Sequence, residues 1–167
     1  MAQFERRYIA EYVLARWPEG GYQLGVSLGA LPENMVKSLG YDAASKLYRP
    51  FRPEVDAVKF FPTGLILIEG KVFDIATAIA KLRWYGTLVP LTEELRSWWG
   101  MPVTLRVATP RRFPLLEQMA KDSGVELDLF VTEAVLAHAA KYERYWTAPY
   151  RQQREAKMQR RRELGLD

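Results

Sequence analysis

The stretch "EVDAVKFFPTGLILIEGKV", residues 54–72, decides the fold. Two apolar runs flank Pro62-Thr63-Gly64, a turn signal. The connection is too short for a parallel crossover, so the runs are expected to pair as an antiparallel hairpin. Three charged residues interrupt this core-like segment: Asp56 at the head of the first run, Glu69 and Lys71 at the end of the second. Side chains alternate faces along a strand, so Leu65, Leu67, Glu69 and Lys71 share one face, and Asp56, Val58 and Phe60 share a face of the partner. Register decides whether the two sets meet. With Thr63-Gly64 as a two-residue loop, Asp56 faces Lys71, Val58 faces Glu69, and all three charges lie on one face. A four-residue loop from Pro62 to Leu65 gives the same pairing, whereas a three-residue loop sends Asp56 to the other face.

Two carboxylates converging at the edge of a buried sheet suit one Mg²⁺ that keeps several waters. Such an ion lowers the pKa of a bound water and stabilises charge on a phosphoryl oxygen. A lysine beside it can orient that water or stabilise the developing oxyanion. Gly70 lets another group approach the backbone between the charged side chains. The plainer reading of the same residues is a hairpin with a salt bridge.

Around the hairpin the pattern alternates. "QFERRYIAEYVLARW" reads as a helix with Phe4, Tyr8, Glu11 and Ala15 on one stripe, broadened by Ile9 and Val13 and ended by Pro18 and Gly20-Gly21. "YQLGVSLG" reads as a strand and "PENMVKSLG" as a short helix. "YDAASKLYRPFRP" is a connector that holds another helical turn. After the hairpin come a helix capped by Asp74, the strand "MPVTLRVATP", the helix "FPLLEQMAKDSG" and the strand "VELDLFV". A helical stretch then runs from Thr132 to about Leu164, with Pro149 expected to divide it. The expected fold is α/β, a mixed sheet with helices on both faces. Residues 1–148 form the domain and 149–167 a basic helical tail.

Composition narrows the chemistry. There are no cysteines and one histidine, His138, so neither a disulfide framework nor an ordinary structural zinc site is available. His138 lies in the apolar "EAVLAHAAKY" and reads as a packed or surface residue. Residues 1–140 carry sixteen basic and sixteen acidic side chains, so the net charge of +4 resides in residues 141–167. A tail of that charge suits a phosphate backbone, an oligomer contact or a solvated end. With no membrane-length apolar run and no signal-peptide core, a soluble cytoplasmic protein is expected, without a membrane partner.

The segment "RPEVDAVKFFPTGLILIEGKV" resembles the core motif of the PD-(D/E)XK nuclease superfamily, an Asp followed on the adjacent strand by Glu or Asp, any residue, and Lys. Asp56, Glu69 and Lys71 match its three positions. Val55 stands where the family has proline, and that position carries no chemistry. The family core is helix, three strands, helix, strand, and it matches residues 3–109 with the small helices at 32–48 as an insertion. The resemblance covers about two-thirds of the chain. It implies a restriction-endonuclease-like αβββαβ core with a C-terminal αβα extension. It also implies metal-dependent hydrolysis of DNA, with Mg²⁺ or Mn²⁺ on Asp56 and Glu69 and Lys71 assisting the attacking water. A further glutamate on the first helix is Glu11 by best match and Glu5 otherwise. Lys81 and Tyr85, on the helix after the lysine, are candidate DNA contacts.

Arg111 and Arg112 after the predicted strand, and Arg151, Arg154, Arg160 and Arg161 in the tail, are candidate phosphate contacts. Trp84, Trp98 and Trp99 read as core or interface residues rather than base-stacking platforms. Small stand-alone proteins resembling this one occur in phages, mobile elements, repair and restriction systems. The alternative is the same fold without catalysis, a nucleic-acid-binding or assembly module such as one in a phage particle. An unrelated interaction domain is the third reading, favoured by a register that separates Asp56 from Glu69.

Overall fold

The computed structural model describes residues 2–143 and 148–165; the side chains of residues 2, 3 and 142–151 lie outside the description. The elements run α1 (Ala2–Arg16), β1 (Tyr22–Ser27), α2 (Glu33–Leu39), α3 (Tyr41–Tyr48), β2 (Glu54–Phe61), β3 (Gly64–Gly70), α4 (Ile75–Leu88), β4 (Val103–Thr109), α5 (Pro114–Asp122), β5 (Val125–Leu129), α6 (Glu133–Glu143) and α7 (Ala148–Glu163). Short 3-10 turns follow α3 and α4. The fold is α/β, with a five-stranded mixed sheet in the order β1-β2-β3-β4-β5. β1, β2 and β3 are antiparallel neighbours, and β3, β4 and β5 run parallel. The C-terminal ends of β1, β3, β4 and β5 and the start of β2 therefore share one edge of the sheet.

The hairpin turns at Pro62-Thr63, one residue before the expected loop. Gly64 already pairs with Phe61 as the first residue of β3. Its missing Cβ explains the shift: a Cβ there would stand 2.5 Å from the Pro102 carbonyl oxygen, which accepts from the Leu65 N–H. Glycine at 64 admits the β4 approach, and proline supplies the turn with a fixed φ.

β3 is buried along its whole length. Leu65 and Leu67 join Val58, Phe60 and Val107 in a core covered by Ile75, Ala78, Ile79, Leu82 and Tyr85 of α4. The other face receives α1, whose Tyr8 and Ile9 come so close to Gly70 that a Cβ there would sit 3.2 Å from Ile9 Cδ1 and 3.4 Å from Tyr8. Polar contacts fix α1 from above: Tyr8 donates to the Phe130 carbonyl at 2.8 Å, Tyr12 to Asp128 at 2.7 Å, and Arg16 pairs with Asp128 at 2.6 Å. The buried stripe of α1 is thus Tyr8, Ile9, Tyr12 and Val13.

The chain forms two compact units, residues 1–130 and 131–167. The division falls ahead of the expected tail boundary because β5 closes the sheet at Leu129 and the helical stretch begins directly after it. Pro149 lies in the first turn of α7, where a missing N–H costs no helical bond. Among the described residues no helix is long and apolar enough to cross a membrane.

Candidate active site

The hairpin ladder runs Phe61↔Gly64, Phe60↔Leu65, Lys59↔Ile66, Val58↔Leu67 and Ala57↔Ile68. One step further, the register sets Asp56 opposite Glu69, two residues from the expected Asp56–Lys71 pairing. The shift is even, so both carboxylates still share a face. Asp56 accepts from the Gly70 N–H at 2.9 Å, which ties the head of β2 to the end of β3.

Glu69 is 2 % exposed. Burial first, and the Asp56 charge second, push its pKa up to about 8, while Lys71, Lys81 and the Asp56 backbone N–H pull the other way. Burial also raises the Asp56 carboxyl, against the Gly70 N–H and Lys71. Two carboxylates competing for ionisation in one buried site share protons as a pair.

Lys71 lies one residue past β3, its N–H bonded to the Ala108 carbonyl at 2.9 Å. Its Nζ donates to Glu5 Oε2 at 2.7 Å, and both side chains are mostly buried. Burial works against the ammonium, but Glu5, Asp56 and Glu69 outweigh it, so the Lys71 pKa rises. The α1 glutamate at the site is therefore Glu5. Glu11, the better match in sequence, pairs instead with Arg7 at 2.7 Å. It lies off the buried stripe, on the flank of α1, and Glu5 extends the stripe itself.

The remaining candidates scatter. Lys81 is exposed on α4, and its charge lowers the pKa of both carboxylates. Tyr85 is a core side chain, 5 % exposed, and so is not a surface contact for DNA. The helical spacing that put it beside Lys81 places it one turn on, against the sheet. Arg111 lies over the Phe73 ring at 5.3 Å, on the sheet edge where Lys71 emerges. Arg112 donates to the Leu127 carbonyl at 2.9 Å and is half exposed. Arg154, Arg160 and Arg161 are exposed on α7, and the Arg151 side chain lies outside the described residues. Trp98 packs on Phe60, with ring centroids 4.6 Å apart, whereas Trp84 is exposed.

A cleft of about 670 Å³ opens beside Asp56, lined by Arg6 and Ile9 of α1, Leu24 and Gly25 of β1, the Arg49-Pro50 turn, Arg52 and Glu54. No motif in the sequence marks it, because its walls come from three separated segments. Arg52 is its buried support: the guanidinium forks onto Glu94 at 2.6 and 2.9 Å and reaches the Ser27 and Leu28 carbonyls.

The donor set limits any metal. Among the described residues no group of three or more His, Asp or Glu side chains could hold an ion. Asp56 and Glu69 together provide hard oxygen donors, and Mg²⁺ is commonly held by one or two carboxylates with waters completing its shell. The pair therefore fits Mg²⁺ or Mn²⁺ at the lower limit of protein ligands. Comparison with family models, curated proteins and solved structures finds no match to this chain.

Proposed function

We propose that the protein is a metal-dependent deoxyribonuclease of the PD-(D/E)XK type. The observation that carries this reading is the pairing of the half-buried Asp56 with the buried Glu69 on one face of the hairpin, where burial and the Asp56 charge both disfavour ionisation of Glu69. A divalent cation would relieve that opposition. The element order α1-β1-β2-β3-α4-β4, with α2 and α3 inserted, agrees with the family core.

Asp56 and Glu69 would hold Mg²⁺ or Mn²⁺, which when bound supplies Lewis-acid stabilisation and a more acidic water. Lys71 stays an ammonium beside Glu5, so it acts as a donor to developing phosphoryl charge and not as a base. Lys81 adds a second positive charge at the pair, and Arg111 a third along the same sheet edge. Within α7, Arg154, Lys157 and Arg161 recur at three-to-four spacing on a helix rich in basic residues, suited to duplex phosphates.

Incubation of plasmid and linear DNA with and without Mg²⁺ or Mn²⁺ tests the proposal. Metal-dependent cleavage that disappears in Asp56→Asn is expected. Uncut DNA at millimolar metal would leave the second reading, a non-catalytic nucleic-acid-binding or assembly module. The Lys71–Glu5 bridge favours that module, since it occupies the ammonium that an enzyme needs available.

A further inference from the structure

The helices between β1 and β2 have little core of their own. α2 buries none of its seven residues, and α3 buries only Ala44. Helices of this length are marginal in water without tertiary packing. The inner face of α3 is Tyr41, Ala44, Ser45 and Tyr48, at helical spacing, and Ser45 donates to Glu94 at 3.2 Å. The outer face is Asp42, Ala43, Lys46 and Leu47, all exposed. Leu47 is 60 % exposed, and further apolar side chains lie at the two ends of the helix: Leu39 just before it and Phe51, 74 % exposed, just after it. The Phe51 ring rests against Tyr48, with centroids 5.4 Å apart. We infer that this outer face is the interface of a homodimer, in which α3 packs antiparallel on α3 of a second copy about a two-fold axis.

The pattern of the face selects a second copy. In an isologous contact residue i meets j, and j meets i. When two helices pack antiparallel about a two-fold axis, each flank of one meets the same flank of the other running the opposite way. Asp42 and Lys46 lie one turn apart on one flank, so each Asp42 meets Lys46 of the second copy and two ion pairs form. Ala43 and Leu47 hold the other flank, so a small residue meets a large one, and the alanine allows close approach of the helices. The same register brings the Leu39 end of each helix to the Phe51 end of the other. The charges are available for this: among the described residues neither Asp42 nor Lys46 has an ion-pair partner, although Glu33 and Lys37 pair at 3.3 Å at the same spacing in α2. A nucleic acid would meet Asp42 as a like charge, and a membrane would bury both charges unpaired. The dimer does not depend on the nuclease reading. A contact built on two short helices belongs to the small, transient class.

Sedimentation equilibrium on the full-length chain, carried up to about 0.2 mM for a contact of this class, reads the association. The wild type should move from the monomer toward twice its mass as concentration rises. Leu47→Asp should hold the chain at monomer mass throughout. Asp42→Lys and Lys46→Asp should each weaken association about tenfold, the scale for turning two surface ion pairs into repulsions. Asp42→Lys/Lys46→Asp reverses both partners, re-forms both pairs and should recover most of the affinity. All three side chains are exposed, so the variants should keep the circular dichroism of the wild type. A wild type that stays monomeric at the highest concentration would overturn the inference. So would a dimer indifferent to Leu47→Asp, or one in which the double reversal fails to restore what the single reversals lose.

Discussion

Lys71 Nζ and Glu5 Oε2 stand 2.7 Å apart across the gap between the end of β3 and the first turns of α1. The bridge joins the strand that carries Glu69 to the helix that covers Gly70. It also fixes Lys71 as a cation beside two carboxylates that need one.

Removing either partner leaves a largely buried charge without its mate. Lys71→Ala and Glu5→Ala should each lower stability by about 1–3 kcal/mol, between the values for exposed and fully buried pairs. The double variant should recover part of the loss. In the nuclease reading Lys71→Ala also lowers cleavage by roughly a hundredfold or more, the scale for one electrostatic donor. Glu5→Gln should cost far less activity. Melting temperature and cleavage measured on the same samples separate these effects: a destabilised Lys71→Ala protein whose parent never cut DNA counts against the enzyme.

Gly70→Ala tests the seat of α1. The new methyl would meet Ile9 at 3.2–3.3 Å, its Cβ included, and Tyr8 at 3.4 Å, so α1 must give by a few tenths of an ångström. A loss of about 1–3 kcal/mol is expected from overpacking. Since the displaced helix carries Glu5, the Lys71 bridge should weaken too, and the coupling between Lys71→Ala and Glu5→Ala should shrink in the Gly70→Ala background. A double-mutant cycle run in both backgrounds measures this; equal coupling energies would separate the bridge from the seating of the helix.

The hairpin, its shared carboxylate face and the α/β order were legible because alternation and turn chemistry are local. The loop position was not, since Gly64 serves a contact with Pro102, which lies far along the chain on the approach to β4. Choosing Glu11 over Glu5 had a sequence remedy. Tyr8, Ile9, Tyr12 and Val13 define a buried stripe, and Glu5 extends it toward the N-terminus by the usual three-to-four spacing. The Phe4–Tyr8–Glu11–Ala15 stripe lies to one side of it. Tyr85 failed as a contact because a helix packed on a sheet turns one face inward, and Leu82 and Tyr85 are on that face. The cleft beside Asp56 had no signal at all: only the folding of α1 and the post-α3 turn around β1 builds it.

In the nuclease reading the basic helix α7 contributes to duplex affinity. Removing residues 147–167 should weaken duplex DNA binding and flatten the plot of log K against log salt by about 0.9 for each phosphate that α7 no longer neutralises. An unchanged duplex slope would make α7 a protein contact or a solvated end.

The carboxylate pair sets a pH dependence with a definite sign. Glu69 is raised from 4.5 to about 8 in the folded protein, chiefly by burial and then by Asp56, so the folded state binds more protons than the unfolded chain between those values. Its stabilising contribution is complete below about pH 4.5 and is lost as pH rises toward 8, with a slope of at most about 1.4 kcal/mol per pH unit. The Arg52–Glu94 fork runs the opposite way. Burial is the largest single influence and would raise Glu94, but its hydrogen bonds and charge pairing, led by Arg52, together outweigh it and hold it at about 2, so that contribution is lost only as pH falls from 4.5 through 2. Melting temperature should therefore fall from about pH 5 to about pH 8 in metal-free buffer, and Glu69→Gln should flatten that limb and stabilise the protein at about pH 8. Mg²⁺ or Mn²⁺ selects the ionised pair, so millimolar metal should raise the melting temperature more at about pH 8 than at about pH 5.5, by mass action on the folded state. Asp56→Ala should abolish the metal shift. A metal effect independent of pH, or one that survives Asp56→Ala, would place the ion away from Asp56 and Glu69.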